Sequence, residues 1–342
     1  MEYRQLGRSG VRVSKLCLGT MNFGGRTDEK TAIGIVHEAL DAGINFIDAA
    51  DVYAKGVSEE IVGKAIAQSG RRDEVVLATK AVARMGDGPN DWGASRYHLT
   101  RACEASLRRL KTDRIDLFYL HVVDMTTPVE EILNTLETLV RQGKILYIGT
   151  SKWPVPLIME ALALSERGGL PRIVAEQPPY HLLDRSIENE LVWTCMRHGI
   201  GLVTFSPLAG GFLSGKYRKG EKPPEGSRYE KVDSSRNKRF APETLDVVEK
   251  LLVMAEAKGI TLSELAHAWL MQRPGITAPI VGPRTVEHLK AALKACEVEL
   301  SDEERTRIDE IVPPGSTLID HYNALVYGRM CKAVDAGDPM RY

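Results

Sequence analysis

Cysteine is scarce in this chain of 342 residues, and it follows no pairing pattern. The five copies are scattered, and none forms a CxxC pair. An odd, unpatterned set argues against a disulfide framework and indicates a reducing compartment. We therefore expect a cytoplasmic protein whose thiols are small buried apolar groups, at Cys17, Cys103, Cys195, Cys296 and Cys331.

Long apolar runs and net charge are also missing. No apolar segment approaches the roughly 20 residues that a membrane helix needs, and the first residues lack the apolar core of a signal peptide. The 45 Lys and Arg nearly balance the 46 Asp and Glu. We therefore expect neither nucleic acid nor a membrane as a partner, while a homo-oligomer stays open.

Eight short apolar runs alternate with segments of helical periodicity along the chain. Most runs are continuous, as in strands that are buried on both faces. Repeats of about 30 to 40 residues predict an α/β fold of the (β/α)8 TIM-barrel type. An open doubly wound sheet would want a GxGxxG turn after its first strand, and the sequence has none. The predicted strands are residues 14–19, 45–48, 75–79, 115–120, 145–149, 173–176, 201–205 and 278–281.

Three segments depart from eight equal units within an expected single domain of residues 1–342. Residues 1–13 contain a Gly-Arg-Ser-Gly turn and predict a hairpin that closes the barrel bottom. A long polar loop follows the seventh strand and runs to Pro242, and residues 313–342 form a tail without clear periodicity. Thr127, Thr261 and Ser301 each precede a Glu by three residues, which predicts helix N-caps.

Polar side chains gather at the predicted carboxyl ends of three successive strands. The second strand ends in Asp48, the third runs into Lys80 and the fourth runs into His121, while Tyr53 lies in the loop after Asp48. Barrel enzymes place their sites at this rim. Each residue alone is more simply explained as structural, but the four together favour chemistry.

This set of four predicts proton donation to a carbonyl that is being reduced. A free tyrosine has a pKa of about 10, which matches neutral pH poorly. We expect Lys80 to lower the pKa of Tyr53, and Asp48 to keep Lys80 charged and fixed. His121 can hold the substrate oxygen by a hydrogen bond.

Residues 43–53, 78–80 and 117–121 resemble the motifs of a known superfamily. Their sequences GINFIDAADVY, ATK and LFYLH resemble the catalytic motifs of the aldo-keto reductases. The resemblance covers almost the whole chain and implies that Asp48, Tyr53, Lys80 and His121 are the catalytic tetrad. In having a basic residue at position 152, the sequence resembles the branch of potassium-channel β-subunit-like reductases. The implied activity is NADPH-dependent reduction of an aldehyde or ketone to an alcohol.

The same resemblance implies an NADP(H) site along the rim. Ser151 and Gln177 match family partners of the nicotinamide carboxamide, Lys152 replaces the family's Asn, and Phe205 stands where Tyr or Trp usually stacks on the nicotinamide. The predicted cofactor contacts are Thr20, Met21, Asp48, Ser151, Lys152, Gln177, Phe205, Ser206, Pro207, Leu208, Ala209, Gly210, Lys216, Arg228, Gly282, Arg284 and His288.

Positive charge gathers after the seventh strand, where residues 214–240 hold nine Lys or Arg against four Asp or Glu. A solvated surface would explain the excess, and so would an anionic ligand, which the resemblance places at Lys216 and Arg228. A helix that begins near Thr285 would aim backbone N–H groups at a phosphate. Arg284 at its entrance suits the 2′-phosphate of NADP.

Two other functions stay open. The first is an NADP-binding module that regulates a partner, as channel β-subunits do, although His121 favours catalysis because those proteins carry Asn there. The second is a metal-dependent barrel hydrolase, but the sequence has no HxH or HExxH motif, so we predict no metal site. The substrate is expected to be a small carbonyl or alcohol. Tail residues that could line its pocket or a subunit contact are Ile319, His321, Tyr322 and Tyr327.

Overall fold

The computed structural model of the chain describes residues 1–232, 237–323 and 326. Eight parallel strands close into a barrel in which the last strand pairs with the first. The predicted (β/α)8 fold is therefore confirmed. The barrel strands are β3 (Cys17–Gly19), β4 (Phe46–Asp48), β5 (Val76–Ala81), β6 (Ile115–Leu120), β7 (Ile145–Thr150), β8 (Ile173–Glu176), β9 (Gly201–Thr204) and β10 (Ile276–Val281).

The helices surround this barrel and bury one apolar face each. In α1 the buried positions are spaced three or four residues apart, as helical periodicity predicts. The helices are α1 (Glu29–Asp41), α2 (Val57–Ser69), α3 (Arg96–Leu110), α4 (Val129–Arg141), α5 (Val155–Gly168), α6 (Leu191–His198), α7 (Pro242–Ala257), α8 (Leu262–Met271), α9 (Val286–Lys294) and α10 (Asp302–Ile311). No helix within the described ranges is long and apolar enough to cross a membrane.

Two of the three predicted N-caps are confirmed. Thr261 and Ser301 each form a capping box with the Glu three residues later. The prediction for Thr127 is wrong, because α4 begins one residue later, after Pro128, without a side-chain cap. The Thr127 hydroxyl instead donates to Asp124 at 2.7 Å, so a competing local acceptor decides its role.

The amino-terminal hairpin closes the bottom of the barrel. Its strands are β1 (Tyr3–Gln5) and β2 (Arg12–Ser14), which pair antiparallel. Leu6 and Val13 pack into the cluster that fills the barrel interior, together with Phe46 and Tyr119. The predicted start of the first barrel strand at Ser14 is wrong, because Ser14 pairs with Tyr3 and belongs to the hairpin.

The long loop after β9 and the tail both lie over the carboxyl ends of the barrel strands. The loop contains the 3-10 helix Ala209–Ser214 and a cluster of mutually packed rings, Phe212, Tyr217, Tyr229 and Phe240. The tail crosses the segment after β8, where Leu318 and Ile319 donate to the Leu183 carbonyl at 2.9 and 3.0 Å. Tyr327 and Cys331 lie outside the described residues.

Candidate active site

Barrel register brings the four predicted catalytic side chains to one rim. Asp48 is the last residue of β4, and His121 directly follows β6. Lys80 lies inside β5 and is paired with Tyr119, so the expectation that it follows the third strand is wrong by two residues. Tyr53 begins the 3-10 helix Tyr53–Gly56 in the loop after β4.

Lys80 is the centre of the polar contacts among these residues. Its Nζ donates to Asp48 Oδ2 at 2.5 Å, to the Ala49 carbonyl at 2.9 Å and to Tyr53 Oη at 3.2 Å. The ring centres of Tyr53 and His121 are 5.8 Å apart in an edge-on arrangement. A phenol, an ammonium, a carboxylate and an imidazole therefore converge at one place.

Burial sets the protonation of this group as much as charge does. Burial raises the pKa of Tyr53 and the Lys80 charge lowers it, as expected, but burial outweighs the lysine and the net shift is upward. Burial disfavours the charge on Lys80, but Asp48 and Tyr53 outweigh it and raise the pKa of Lys80. Burial, together with Lys152 and Lys80, holds the pKa of His121 well below its usual range. At neutral pH the site thus holds a protonated phenol, an ammonium and a neutral imidazole.

The backbone that carries Tyr53 is held in a strained turn. The two residues after Tyr53 have φ of 46° and 53°, in the left-handed region that non-glycine residues seldom adopt. Gly56 follows at φ 97°, and a Cβ there would lie 2.7 Å from Arg109 Cδ, so this position requires glycine. Arg109 donates to the buried Glu59 at 2.7 Å. The ion pair of Arg109 with Glu59 holds the arginine against Gly56, and this contact supports the turn that carries the Tyr53 phenol.

The predicted carboxamide partners lie together after β7 and β8. Ser151 Oγ donates to the Gln177 carbonyl at 2.8 Å, and Gln177 Nε2 donates to Asp48 Oδ1 at 3.0 Å. Lys152 Nζ lies 5.9 Å from the centre of the Phe205 ring. Sequence reasoning missed Glu176, which ends β8 and accepts from the Trp153 N–H at 3.2 Å. Burial raises the pKa of Glu176 to about 7.

The other predicted contacts lie around a cleft between the loops that follow β3 and β10, the first and last strands of the barrel. Thr20 is fully buried and its hydroxyl donates to the Asp48 carbonyl at 3.0 Å, whereas Met21 is exposed. Gly282 is exposed, and its carbonyl accepts from Asn22 Nδ2 at 3.0 Å. The segment after Phe205 turns sharply at residues 206, 209 and 210, which all have positive φ. That segment comprises Ser206, Pro207, Leu208, Ala209 and Gly210.

Three cations from different loops lie close together at this cleft. Burial lowers the pKa of Lys216, and the neighbouring charges of Arg284 and Arg26 lower it further. Helix α9 begins beside them with Thr285 as its N-cap, as predicted, and His288 lies in its first turn. Like charges repel, so this arrangement suits an anionic ligand that would offset them. Arg26 carries no local sequence signal, because only the fold of its loop brings it to Lys216.

Gly211, five residues before Lys216, leaves room for the side chain of that lysine. Gly211 has φ 108°, and a Cβ there would lie 2.8 Å from Lys216 Cε. Arg228 is exposed, and its charge acts on His321 rather than on Lys216. The structure therefore brings Lys216, Arg284 and His288 together but places Arg228 with a second group of side chains.

Asp51 is a buried titratable group that sequence reasoning missed. It is 1% exposed, and neither carboxyl oxygen makes a hydrogen bond of good geometry within the described residues. Burial, followed by the charge of Glu59, raises its pKa to about 8. Asp51 lines a cavity of about 210 Å³ beside α3, together with His98. Its backbone N–H donates to the Lys80 carbonyl, so it supports the end of β5 that carries Lys80.

We expect Asp51→Asn to change how stability depends on pH. A carboxyl group whose folded pKa is raised favours folding below its unfolded pKa of 3.8, and this favourable contribution is lost as pH rises through about 8. The Asn side chain does not titrate. The melting temperature of the variant relative to the native protein should therefore rise between about pH 5 and about pH 9. The exposed Asp87→Asn is the matched control, and an equal pH profile for both variants would refute the assignment.

Comparison with known proteins shows which sequences this chain resembles. The sequence model of the Aldo/keto reductase family matches residues 15–313. The chain is 43% identical over 333 residues to the uncharacterized oxidoreductase YrpG of Bacillus subtilis (strain 168), covering 94% of this chain and 99% of that protein. It is 40% and 39% identical over 303 residues to probable voltage-gated potassium channel subunits beta of Oryza sativa subsp. japonica and Arabidopsis thaliana, with 87% of this chain and 92% of each relative covered.

The chain belongs to the aldo/keto reductase family. Proteins of this family are oxidoreductases that act on small molecules and generally use NAD(P)H. The described ranges contain no group of three or more His, Cys, Asp or Glu side chains that could hold a metal ion.

Proposed function

We propose that this protein reduces an aldehyde or ketone to an alcohol with NADPH, and that Tyr53 supplies the proton. The observation that carries the proposal is the 3.2 Å contact between Lys80 Nζ and Tyr53 Oη, backed by the buried ion pair of Lys80 with Asp48. This arrangement supports proton donation because the phenol stays protonated at neutral pH yet lies against a fixed positive charge.

Each member of the tetrad has a defined part in this proposal. Tyr53 donates its proton to the carbonyl oxygen as negative charge develops there. Lys80 stabilises the phenolate that remains, and Asp48 keeps Lys80 charged and in place. His121, as a neutral imidazole, orients the carbonyl oxygen by a hydrogen bond.

The proposed cofactor fits the residues around the cleft. Lys216, Arg284 and the N-terminus of α9 would hold its phosphates, and Gly211 lets Lys216 take its place because a Cβ there would clash with the lysine. Ser151, Lys152 and Gln177 would hold the carboxamide, and Phe205 offers a ring face. When bound, NADPH supplies the hydride that reduces the carbonyl carbon.

A turnover assay tests the proposal directly. Loss of NADPH absorbance should be observed with members of a panel of aldehydes and ketones, and it should be weaker with NADH. Absence of turnover with every aldehyde and ketone of the panel, despite measurable NADPH binding, would contradict the proposal.

That outcome would favour a second candidate, an NADP-binding module with little turnover that regulates a partner. The observation in its favour is that two relatives are named as potassium channel subunits. The presence of His121 at the rim, with its ring 5.8 Å from Tyr53, supports catalysis instead.

We also propose a single domain over residues 1–342 and a cytoplasmic location, the latter supported by four free thiols, at Cys17, Cys103, Cys195 and Cys296.

We expect Arg284→Ala to weaken NADPH binding by about tenfold or more and NADH binding much less, because a charged hydrogen bond to the 2′-phosphate is lost. Dissociation constants from fluorescence titration would check this. The exposed Arg141→Ala on α4 is the control and should bind both cofactors normally. Equal losses for NADPH and NADH would remove Arg284 from the 2′-phosphate.

A further inference from the structure

A second group of basic side chains lies beside Phe205, separate from Lys216 and Arg284. The tail residue His321 packs edge-on against Phe205, with ring centres 5.6 Å apart. Lys152 Nζ lies 5.9 Å from the centre of the same ring. The charge of Lys152 acts on both His121 and His321, so this lysine lies near the catalytic imidazole and near the tail imidazole.

His181 adds a buried hydrogen-bond donor to this group. Its ring is fully buried, and the ring centre lies 6.2 Å from that of His321. His181 Nδ1 accepts from the Leu183 N–H at 3.2 Å. Burial holds the pKa of His181 well below its usual range, so the ring is neutral and its proton is on Nε2. Within the described residues this Nε2–H has no hydrogen-bond partner, so it can donate to an acceptor that a ligand brings.

Two arginines give the group its positive charge. Arg239 Nη1 donates to Tyr229 Oη at 2.5 Å, and it would lie 3.6 Å from a Cβ at Gly210. Burial lowers the pKa of His321 to about 4, and the charges of Arg239 and Arg228 contribute to this shift. The imidazole is therefore neutral at pH 7, and the positive charges of Arg239, Arg228 and Lys152 around it outnumber the one carboxylate that opposes them, Asp184.

The carboxylate in this region is committed to the backbone. Asp184 Oδ2 accepts from the N–H groups of His321 and Tyr322 at 2.8 and 2.9 Å. Its other oxygen accepts from the backbone N–H and the hydroxyl of Ser186 at 3.2 and 2.5 Å. Asp184 thus fixes the tail segment that presents His321 through one oxygen and holds Ser186 through the other, so both oxygens already have hydrogen-bond partners.

We propose that the carbonyl substrate carries an anionic group, a carboxylate or a phosphate monoester, which His321, His181 and Arg239 hold beside Phe205. This inference rests on the proposed reductase function. Anionic oxygens would accept the proton of His181 Nε2 and offset the charge of Arg239, and both needs are met by one small group. The position next to Phe205 and Lys152 links this group to the reacting end of the site.

Matched pairs of substrates test the inference with NADPH saturating. One pair is 4-carboxybenzaldehyde and its neutral methyl ester, and the other is 4-formylphenyl phosphate and 4-methoxybenzaldehyde. In at least one pair the anionic member should have a kcat/KM about tenfold higher or more, as expected for a hydrogen bond to a charged group. The pair that shows the preference distinguishes carboxylate from phosphate.

Two variants connect that preference to the named residues. Arg239→Gln and His321→Phe should each lower the anionic-to-neutral ratio of kcat/KM by about tenfold. His321→Phe keeps a ring against Phe205 and serves the same test if Arg239→Gln fails to fold. Arg141→Gln, on the exposed face of α4, should leave the ratio unchanged.

The outcomes separate this inference from the function on which it rests. Equal kcat/KM for anionic and neutral aldehydes in the native protein would overturn the inference and leave the reductase function intact. No turnover of any aldehyde would remove both. A weaker affinity for NADPH with an unchanged ratio in both variants would assign the group to the cofactor's own phosphates, and this too would overturn the inference.

Discussion

Replacing Tyr53 by Phe is expected to lower kcat for carbonyl reduction by about 10²- to 10⁴-fold. The phenyl ring fills the same space, but the variant lacks the hydroxyl whose oxygen lies 3.2 Å from Lys80 Nζ. No proton is then available there for the carbonyl oxygen. Affinity for NADPH should change little, because the hydroxyl group is what the variant removes. Steady-state turnover combined with fluorescence titration of NADPH measures both quantities on one preparation.

The control for this variant is Tyr97→Phe, which removes a hydroxyl from an exposed ring on α3. It should retain full activity. Unchanged turnover in Tyr53→Phe would exclude Tyr53 as the proton donor. A loss of NADPH binding that matches the loss of turnover would mean that Tyr53 shapes the cofactor cleft instead.

Lys80→Met is expected to lower the free energy of unfolding by about 3–5 kcal/mol, the usual effect of leaving a buried charge without its partner. Lys80 is 0% and Asp48 2% exposed at the side chain, so water cannot replace the lost ammonium. Activity should fall as well, because nothing would stabilise the Tyr53 phenolate. Urea unfolding followed by circular dichroism measures the stability change.

Two further variants define the origin of that destabilisation. Lys64→Met removes an exposed lysine that pairs with Glu29, and it should cost less than about 1 kcal/mol. The double variant Asp48→Asn/Lys80→Met should recover part of the stability, because it removes the unpaired carboxylate. If the double variant is as unstable as the sum of the single variants, the ion pair is not the cause.

Most of the barrel could be predicted from the sequence because parallel strands that are buried on both faces give continuous apolar runs. The ends of the individual strands follow less directly from the sequence. Ser14 is a polar residue whose side chain favours neither the hairpin nor the barrel strand, and only its pairing with Tyr3 assigns it to the hairpin. Lys80 marked the end of an apolar run, although β5 continues through it because the lysine is buried against Asp48.

The convergence of the tetrad could also be predicted, since strand ends in a parallel barrel meet at one rim. The net direction of the Tyr53 pKa could not, because it depends on how burial and the Lys80 charge compare at the final distance. Arg26, Asp51 and His181 gave no local signal. Their surroundings are created by loops that are distant in sequence, such as the tail segment that brings His321 to Phe205.

The most direct test of the account is transfer of label to an aldehyde substrate from NADPH in which both hydrogens at C4 of the nicotinamide are replaced by deuterium. The account predicts that the alcohol formed by the native protein carries one deuterium on its carbinol carbon. It also predicts that Tyr53→Phe binds the labelled NADPH but forms labelled alcohol far more slowly. Oxidation of NADPH without deuterium in the alcohol, or equal labelling by the variant, would contradict the proposed chemistry.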